Sequence, residues 1–214
     1  MNDVTVLYYS ASSQRPEFES NIRADLLKKI GDLPLVSVTQ EPLPDFGKNI
    51  CVGKHLNCYH NEFRQILIGL EKVKTTYIIV AEADCLYPPE YFKFKPLEAG
   101  HCYRHGNVWV LKDSKYLFKG KSHCAQLVDT KMWFNKIAKS FEGMPEWSED
   151  GKKIDNIFQP AEERGCVWTT DNPIITIKTF GGVSRHPQIK ENIPPAEMLP
   201  YWGSAELLTK KMSA

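Results

Sequence analysis

The sequence predicts an α/β protein with a mainly parallel, helix-flanked sheet. Three observations lead there. The 214 residues are 42% hydrophobic and 25% charged, the balance of an ordinary globular chain of one-domain size. Residues 4–94 alternate strand-like and helix-like patterns in the order β-α-β-α-β, and strands linked through helices pair in parallel. The last strand of that series, Tyr77-Ile78-Ile79-Val80-Ala81, is an unbroken apolar run ended by Glu82 and Asp84, as expected of a strand covered on both faces.

Each element has its own signal. Val4–Ser10 is rich in β-formers and runs into a polar loop, Ser10–Arg15. Glu19–Ile30 carries Ile22, Leu26, Leu27 and Ile30 at helical spacing, and Gly31 ends it. Leu35–Val38 predicts a second strand, and the Pro- and Gly-bearing stretch Pro42–Lys54 a loop. Asn61–Lys72 predicts a helix whose buried side is Phe63, Ile66, Leu67 and Leu70. Pro88-Pro89 forces a turn after the acidic strand end. Further on, Val108–Leu111, Ala125–Val128 and Ile174–Ile177 read as strands, Thr130–Ser140 and Ala205–Lys211 as helices.

Several function classes lose support. The net charge is +1, with 27 Lys and Arg against 26 acids, so no global field draws the chain to nucleic acid or membrane. A local basic groove from Arg104, Lys112, Lys115, Lys119 and Lys121 stays open, as does a merely solvated face. No apolar stretch approaches the ~20 residues that span a bilayer, and the start has no signal-peptide pattern, which predicts a cytoplasmic protein. The six cysteines include no C-x-x-C pair, which argues against a zinc ribbon and for free thiols, with Cys85 a small packed residue. Neither a dinucleotide fingerprint nor a P-loop is present.

The chemistry centres on Glu82 and Asp84. Two apart on a strand, they share a face. Paired carboxylates at the carboxyl edge of a buried strand point to a divalent cation bridging to a phosphate ligand, the plainer alternative being a solvated loop or a helix cap. Arg64, near a helix start that favours anions, is either a phosphate contact or a solvated arginine.

On these residues the chain resembles the GT-A fold of nucleotide-sugar glycosyltransferases, with Glu82-Ala83-Asp84 in the place of that fold's D-x-D. Within it, the chain is most similar to a small phage and bacterial family that includes the TET-associated glycosyltransferases of hydroxymethylpyrimidine DNA. The similarity is carried by Arg64-Gln65-Ile66-Leu67-Ile68-Gly69-Leu70-Glu71 and by the segment from Glu82 to Phe94, E-A-D-C-L-Y-P-P-E-Y-F-K-F. Phe46-Gly47-x-Asn49-Ile50, Asn107-Val108-Trp109 and Pro173-x-Ile175-x-Ile177 are weaker matches.

The resemblance implies a GT-A-like domain over 1–214, with a nucleotide-sugar-binding half at 1–95 and a smaller, mixed acceptor-side half at 96–214. It implies transfer of a sugar from a UDP-sugar to a hydroxyl, most closely the hydroxymethyl group of 5-hydroxymethylcytosine in DNA. A surface-glycan transferase and a non-catalytic nucleotide-sugar-binding module are the rivals. Mn²⁺ or Mg²⁺ would sit on Glu82 and Asp84. The family's late acid and histidine are replaced here by Ile175-Thr176-Ile177-Lys178-Thr179, which leaves His186 as the substitute ligand or as a surface imidazole. Tyr9 and Ser10 are candidates for the uridine site; Tyr103, His105 and Trp109 for holding an unstacked base; Glu162, Glu163 and Asp171 for a catalytic base.

Overall fold

A computed structural model describes residues 3–151, 157–160, 166–179 and 189–213. The first half supplies β1 (Val4–Ser10), α1 (Pro16–Leu27), β2 (Leu35–Thr39), β3 (Lys48–Cys51), α2 (Tyr59–Leu70) and β4 (Tyr77–Glu82). A two-residue strand, β5 (Cys85–Leu86), and a 3-10 turn at Pro89–Lys93 follow. Then come β6 (Cys102–His105), β7 (Val108–Lys112), β8 (Lys115–Gly120), β9 (Gln126–Asp129) and α3 (Thr130–Ser140). The chain closes with β10 (Val167–Trp168), β11 (Ile174–Ile177), β12 (Met198–Leu199), β13 (Gly203–Ser204) and α4 (Ala205–Ser213).

The protein is α/β, with a mainly parallel central sheet of seven strands in the order β10-β6-β9-β4-β1-β2-β3. β3, β2, β1 and β4 run parallel. β9 is antiparallel to both β4 and β6, while β10 is parallel to β6. Strands of the second half thus complete the sheet that the first half begins. A second sheet, β5-β11-β7-β8, is joined to the first through β5, where Thr176 pairs with Cys85 and Ile175 with Leu86.

The alternation of strand side chains sorts the core into two faces. Leu7, Tyr9, Ile78 and Val80 face α2 and α3, among Phe63, Ile66, Trp133, Ile137 and Phe158. Val6, Tyr8, Ile79 and Ala81 face the other way, among Leu26, Phe46, Tyr87, Tyr91 and Leu127. Burial on both faces is why these strands are continuously apolar in sequence. Each large apolar side chain fully buried here contributes roughly 1.5–3 kcal/mol. At α2 the close approach needs a glycine: a Cβ on Gly69 would stand 2.5 Å from Leu7 Cδ1 and 3.1 Å from Val38 Cγ2. A third cluster holds the second sheet against α1 and α4 through Phe18, Ile22, Leu86, Tyr116, Ile175 and Leu208.

Two expectations are corrected. The stretch 42–54 is not all loop, because Lys48–Cys51 pairs in parallel with β2. It is a partly exposed edge strand, and an edge does not need the apolar alternation that marks inner strands. Residues 102–105 form β6, an inner strand between β9 and β10, with all four residues buried. Among the described residues, no helix is long and apolar enough to cross a membrane.

Candidate functional site

The site is built at the carboxyl ends of β1 and β4. Tyr9 and Glu82 are paired in register across these strands, and the Tyr9 phenol donates a 2.7 Å hydrogen bond to Glu82 Oε1. The end of β1 is fixed by Gln65, whose buried amide donates to the carbonyls of Ser10 (2.8 Å) and Val38 (3.1 Å). Ser10 Oγ donates to Glu19 and accepts from the Ser12 amide, so its hydroxyl organises the turn into α1. Glu19 also receives the Gln14 amide and Arg23.

The aromatic segment after the acids has a structural reason. The Tyr87 hydroxyl accepts from the Glu82 amide (3.0 Å) and donates to the Cys124 carbonyl (2.7 Å), tying the end of β4 to the start of β9. Tyr91 donates to the Val80 carbonyl at 2.9 Å and stacks on Tyr87. Both phenols are buried, and these bonds satisfy hydroxyls that would otherwise cost stability.

Glu62, on the first turn of α2, joins Glu82 and Asp84. Burial pushes all three carboxyls upward, and their mutual repulsion adds to it for Glu82 and Glu62. Glu62 is pushed up to about 8 by burial and then by Asp84. For Asp84 the rise is opposed by the Cys85 thiol, which donates at 3.4 Å, and then by Lys119 and Lys178. Burial alone would lower Lys119, but Cys124, Glu82, Cys85 and Asp84 outweigh it and hold its ammonium up. Cys124 is drawn down to about 7, first by the Cys85 thiol, against burial, and then by Lys119 and Ser122.

Half-buried carboxylates next to another acid are costly to ionise, and a hard dication between them would offset that charge. Glu82 and Asp84 could hold Mn²⁺ or Mg²⁺, while Glu62 acts on them through its charge: among the described residues, the side chains whose ligand atoms gather within 4.8 Å are Glu82, Cys85 and Cys124. Glu62 escaped the sequence reading, because no local pattern marks a first-turn helix residue that comes within electrostatic reach of a strand end.

Of the residues singled out from sequence, Glu82, Asp84 and Tyr9 come together. Ser10 neighbours them but is engaged with Glu19. Arg64 is directed elsewhere: its guanidinium donates to the Glu146 (2.8 Å) and Pro145 (3.3 Å) carbonyls and lies over the Phe141 ring. It pins a turn instead of facing the acids. Tyr103 and His105 are corrected as base-holding platforms, because β6 is an inner strand. Tyr103 is 5% exposed and bonded to Glu98, while His105 is fully buried against Thr170. Burial holds His105 down at about 4. Trp109 is half-buried on β7, its indole donating to Asn107 and its ring against Phe118. Asp171 is exposed in the turn between β10 and β11. Glu162, Glu163 and His186 lie outside the described residues.

Beside the acids opens a basic cleft of about 340 Å³, lined by Arg104, Lys119, Lys121, Ser122, His123 and Lys190 among others. Among its described lining residues there is no acid. Burial, then Arg104 and Lys119, hold His123 down at about 4.

No family model matches the chain, and no curated protein does. Among solved structures, it is similar to the inositol-1-phosphate CTP transferase of T. maritima, at 12% identity and a TM-score of 0.46, over 81% of this chain and 84% of that one. The 4-diphosphocytidyl-2C-methyl-D-erythritol synthase of Anaerococcus prevotii matches at 11% identity and 0.44, over 85% and 93%. The glycosyltransferase GlyE of Streptococcus pneumoniae matches at 13% and 0.43, over 78% and 45%. The chain spans about half the length of the bifunctional IspDF of Campylobacter jejuni, covering 49% of it. At such values these likenesses carry no argument, and the fold rests on the strand order itself.

Proposed function

We propose that this chain is a metal-dependent glycosyltransferase that moves a sugar from a UDP-sugar to a hydroxyl group. The observation that supports it is the placement of Glu82, held by Tyr9, and of Asp84 just after it, at the carboxyl end of a buried parallel strand pair, where α/β sheets place their ligands. A dication held there supplies Lewis-acid stabilisation of the departing diphosphate. Tyr9 fixes the orientation of Glu82, and Lys119 and Lys178 add positive charge beside Asp84. Glu162 and Glu163 are the proposed bases for the acceptor hydroxyl.

The acceptor of this reading is 5-hydroxymethylcytosine in DNA. It rests on the sequence resemblance and on the acid-free basic cleft, whose cations suit a polyanion beside the reacting centre. With Tyr103 and His105 buried, the cleft takes over the contact that those rings were expected to make. The test is a panel of UDP-sugars with Mn²⁺, incubated with hydroxymethylated or unmodified DNA and read by mass spectrometry of the nucleosides. A sugar mass on hydroxymethylcytosine alone, dependent on the metal, is expected. Metal-dependent UDP release without any DNA product would discard the DNA acceptor and keep the transferase. No donor cleavage with any UDP-sugar would discard both.

A further inference from the structure

The hard-ion centre contains two thiols that the transferase reading does not use. Cys85 and Cys124 are far apart in sequence and 2% and 4% exposed. The Tyr87 bridge brings the start of β9 to the end of β4, and the thiols with it. The Cys85 and Cys124 sulfurs and a Glu82 carboxylate oxygen all lie within 4.8 Å of one another. Asp84 Oδ1 stands 3.4 Å from Cys85 Sγ. Tetrahedral zinc, with Zn–S of about 2.3 Å and Zn–O of about 2.1 Å, sets its ligand atoms roughly 3.6–3.8 Å apart. The observed cluster needs to contract little to reach that spacing.

We propose that Glu82, Cys85 and Cys124 form a three-donor binding site for a zinc-class ion, with Asp84 beside it on the Cys85 thiol and a water as the fourth ligand. Thiolate donors select borderline-soft ions over Mg²⁺ and Mn²⁺, which prefer oxygen. Charge supports the assignment. Two thiolates and two carboxylates carry four negative charges, and a dication together with Lys119 and Lys178, whose fields reach these groups, balances them. On binding, both thiol protons, and the Glu82 carboxyl proton where it is held, pass to solvent, and no other bond of the chain is broken. The proposal does not rest on the transferase reading. It adds that zinc takes Glu82 away from the hard ion, so the two ions compete for one centre.

The experiment titrates Co²⁺ into the metal-free full chain as a spectroscopic stand-in for zinc. A thiolate-to-cobalt charge-transfer absorption that saturates at one ion per chain is expected. Equimolar Zn²⁺ should abolish it, and excess Mg²⁺ should leave it. Cys85→Ser and Cys124→Ser should each remove the band. As a second measurement, free of any substitution, alkylation in the native chain is mapped with and without Zn²⁺. At Zn²⁺ about tenfold above its Kd, Cys85 and Cys124 should react roughly tenfold more slowly, with exposed Cys51 unchanged. Absence of the band in the native chain, its survival undiminished in either serine variant, or equal alkylation with and without zinc would each overturn the proposal.

Discussion

Replacing Glu62 by Gln isolates one carboxyl of the acid centre. In the folded protein this group titrates at about 8, against 4.5 for an ordinary glutamate. Between those values the folded chain keeps a proton that the unfolded chain has released. Stability from this group is therefore complete below pH 4.5 and is lost as pH rises toward 8. A rise of this size, at about 1.4 kcal/mol per pKa unit, sets an upper limit of roughly 5 kcal/mol. Glu62 retains some solvent contact, and screening reduces the expected effect to about 2–3 kcal/mol. For a chain of this size that is a fall of roughly 4–12 °C in Tm. Cys124, drawn down to about 7, acts in the opposite sense at alkaline pH, so the quantity to measure is a difference between two proteins. Thermal unfolding of metal-free wild type and Glu62→Gln, at pH 5 and pH 8.5, gives it. Wild type should lose most of that interval relative to the variant at the higher pH. Parallel pH curves for the two proteins would refute a carboxyl held protonated by its neighbours.

Other outcomes follow from single contacts. Asp84→Asn should lower Mn²⁺-dependent UDP release by roughly two orders of magnitude or more, measured by coupled assay with saturating donor. Gly69→Ala should destabilise by about 1–2 kcal/mol in urea denaturation, since the clash with Leu7 outweighs the better helix propensity of alanine. Trp133→Phe removes the 2.9 Å indole bond to the buried Phe158 carbonyl and should cost about 2–3 kcal/mol in the same assay. His105, held near 4 by burial, favours the folded state while neutral, so stability should fall as pH drops from 6.5 toward 4. His105→Gln should flatten that acid limb in a pH series of unfolding midpoints.

What was readable in the sequence was whatever is buried on both sides or repeats with a helical period. β1, β4 and α3 lie where their apolar patterns place them, because inner strands and amphipathic helices write their environment into residue type. β3 and β6 were not readable, for opposite reasons. β3 is an exposed edge with no pattern to show. β6 buries Arg104 and His105, polar residues that bond to Pro160 and Thr170 from distant loops, and no local signal announces such partners. The site divides in the same way. Glu82 and Asp84 announced themselves by ending an apolar strand. Glu62, Lys119 and Cys124 reach them only through tertiary pairing, and Arg64, legible as a basic residue near a helix start, turned out to fasten a turn.

The reversed direction of β9 has a topological consequence. Because it runs against β4, its beginning stands beside the end of the acidic strand. The segment leading into it, from Lys119 to Cys124, therefore reaches the acidic end of β4, which a parallel neighbour would have left at the opposite rim. The acids and the thiol and lysine beside them come from different halves of the polypeptide. A fragment cut after the 3-10 turn would keep the acids and lose everything that reaches them from the second half.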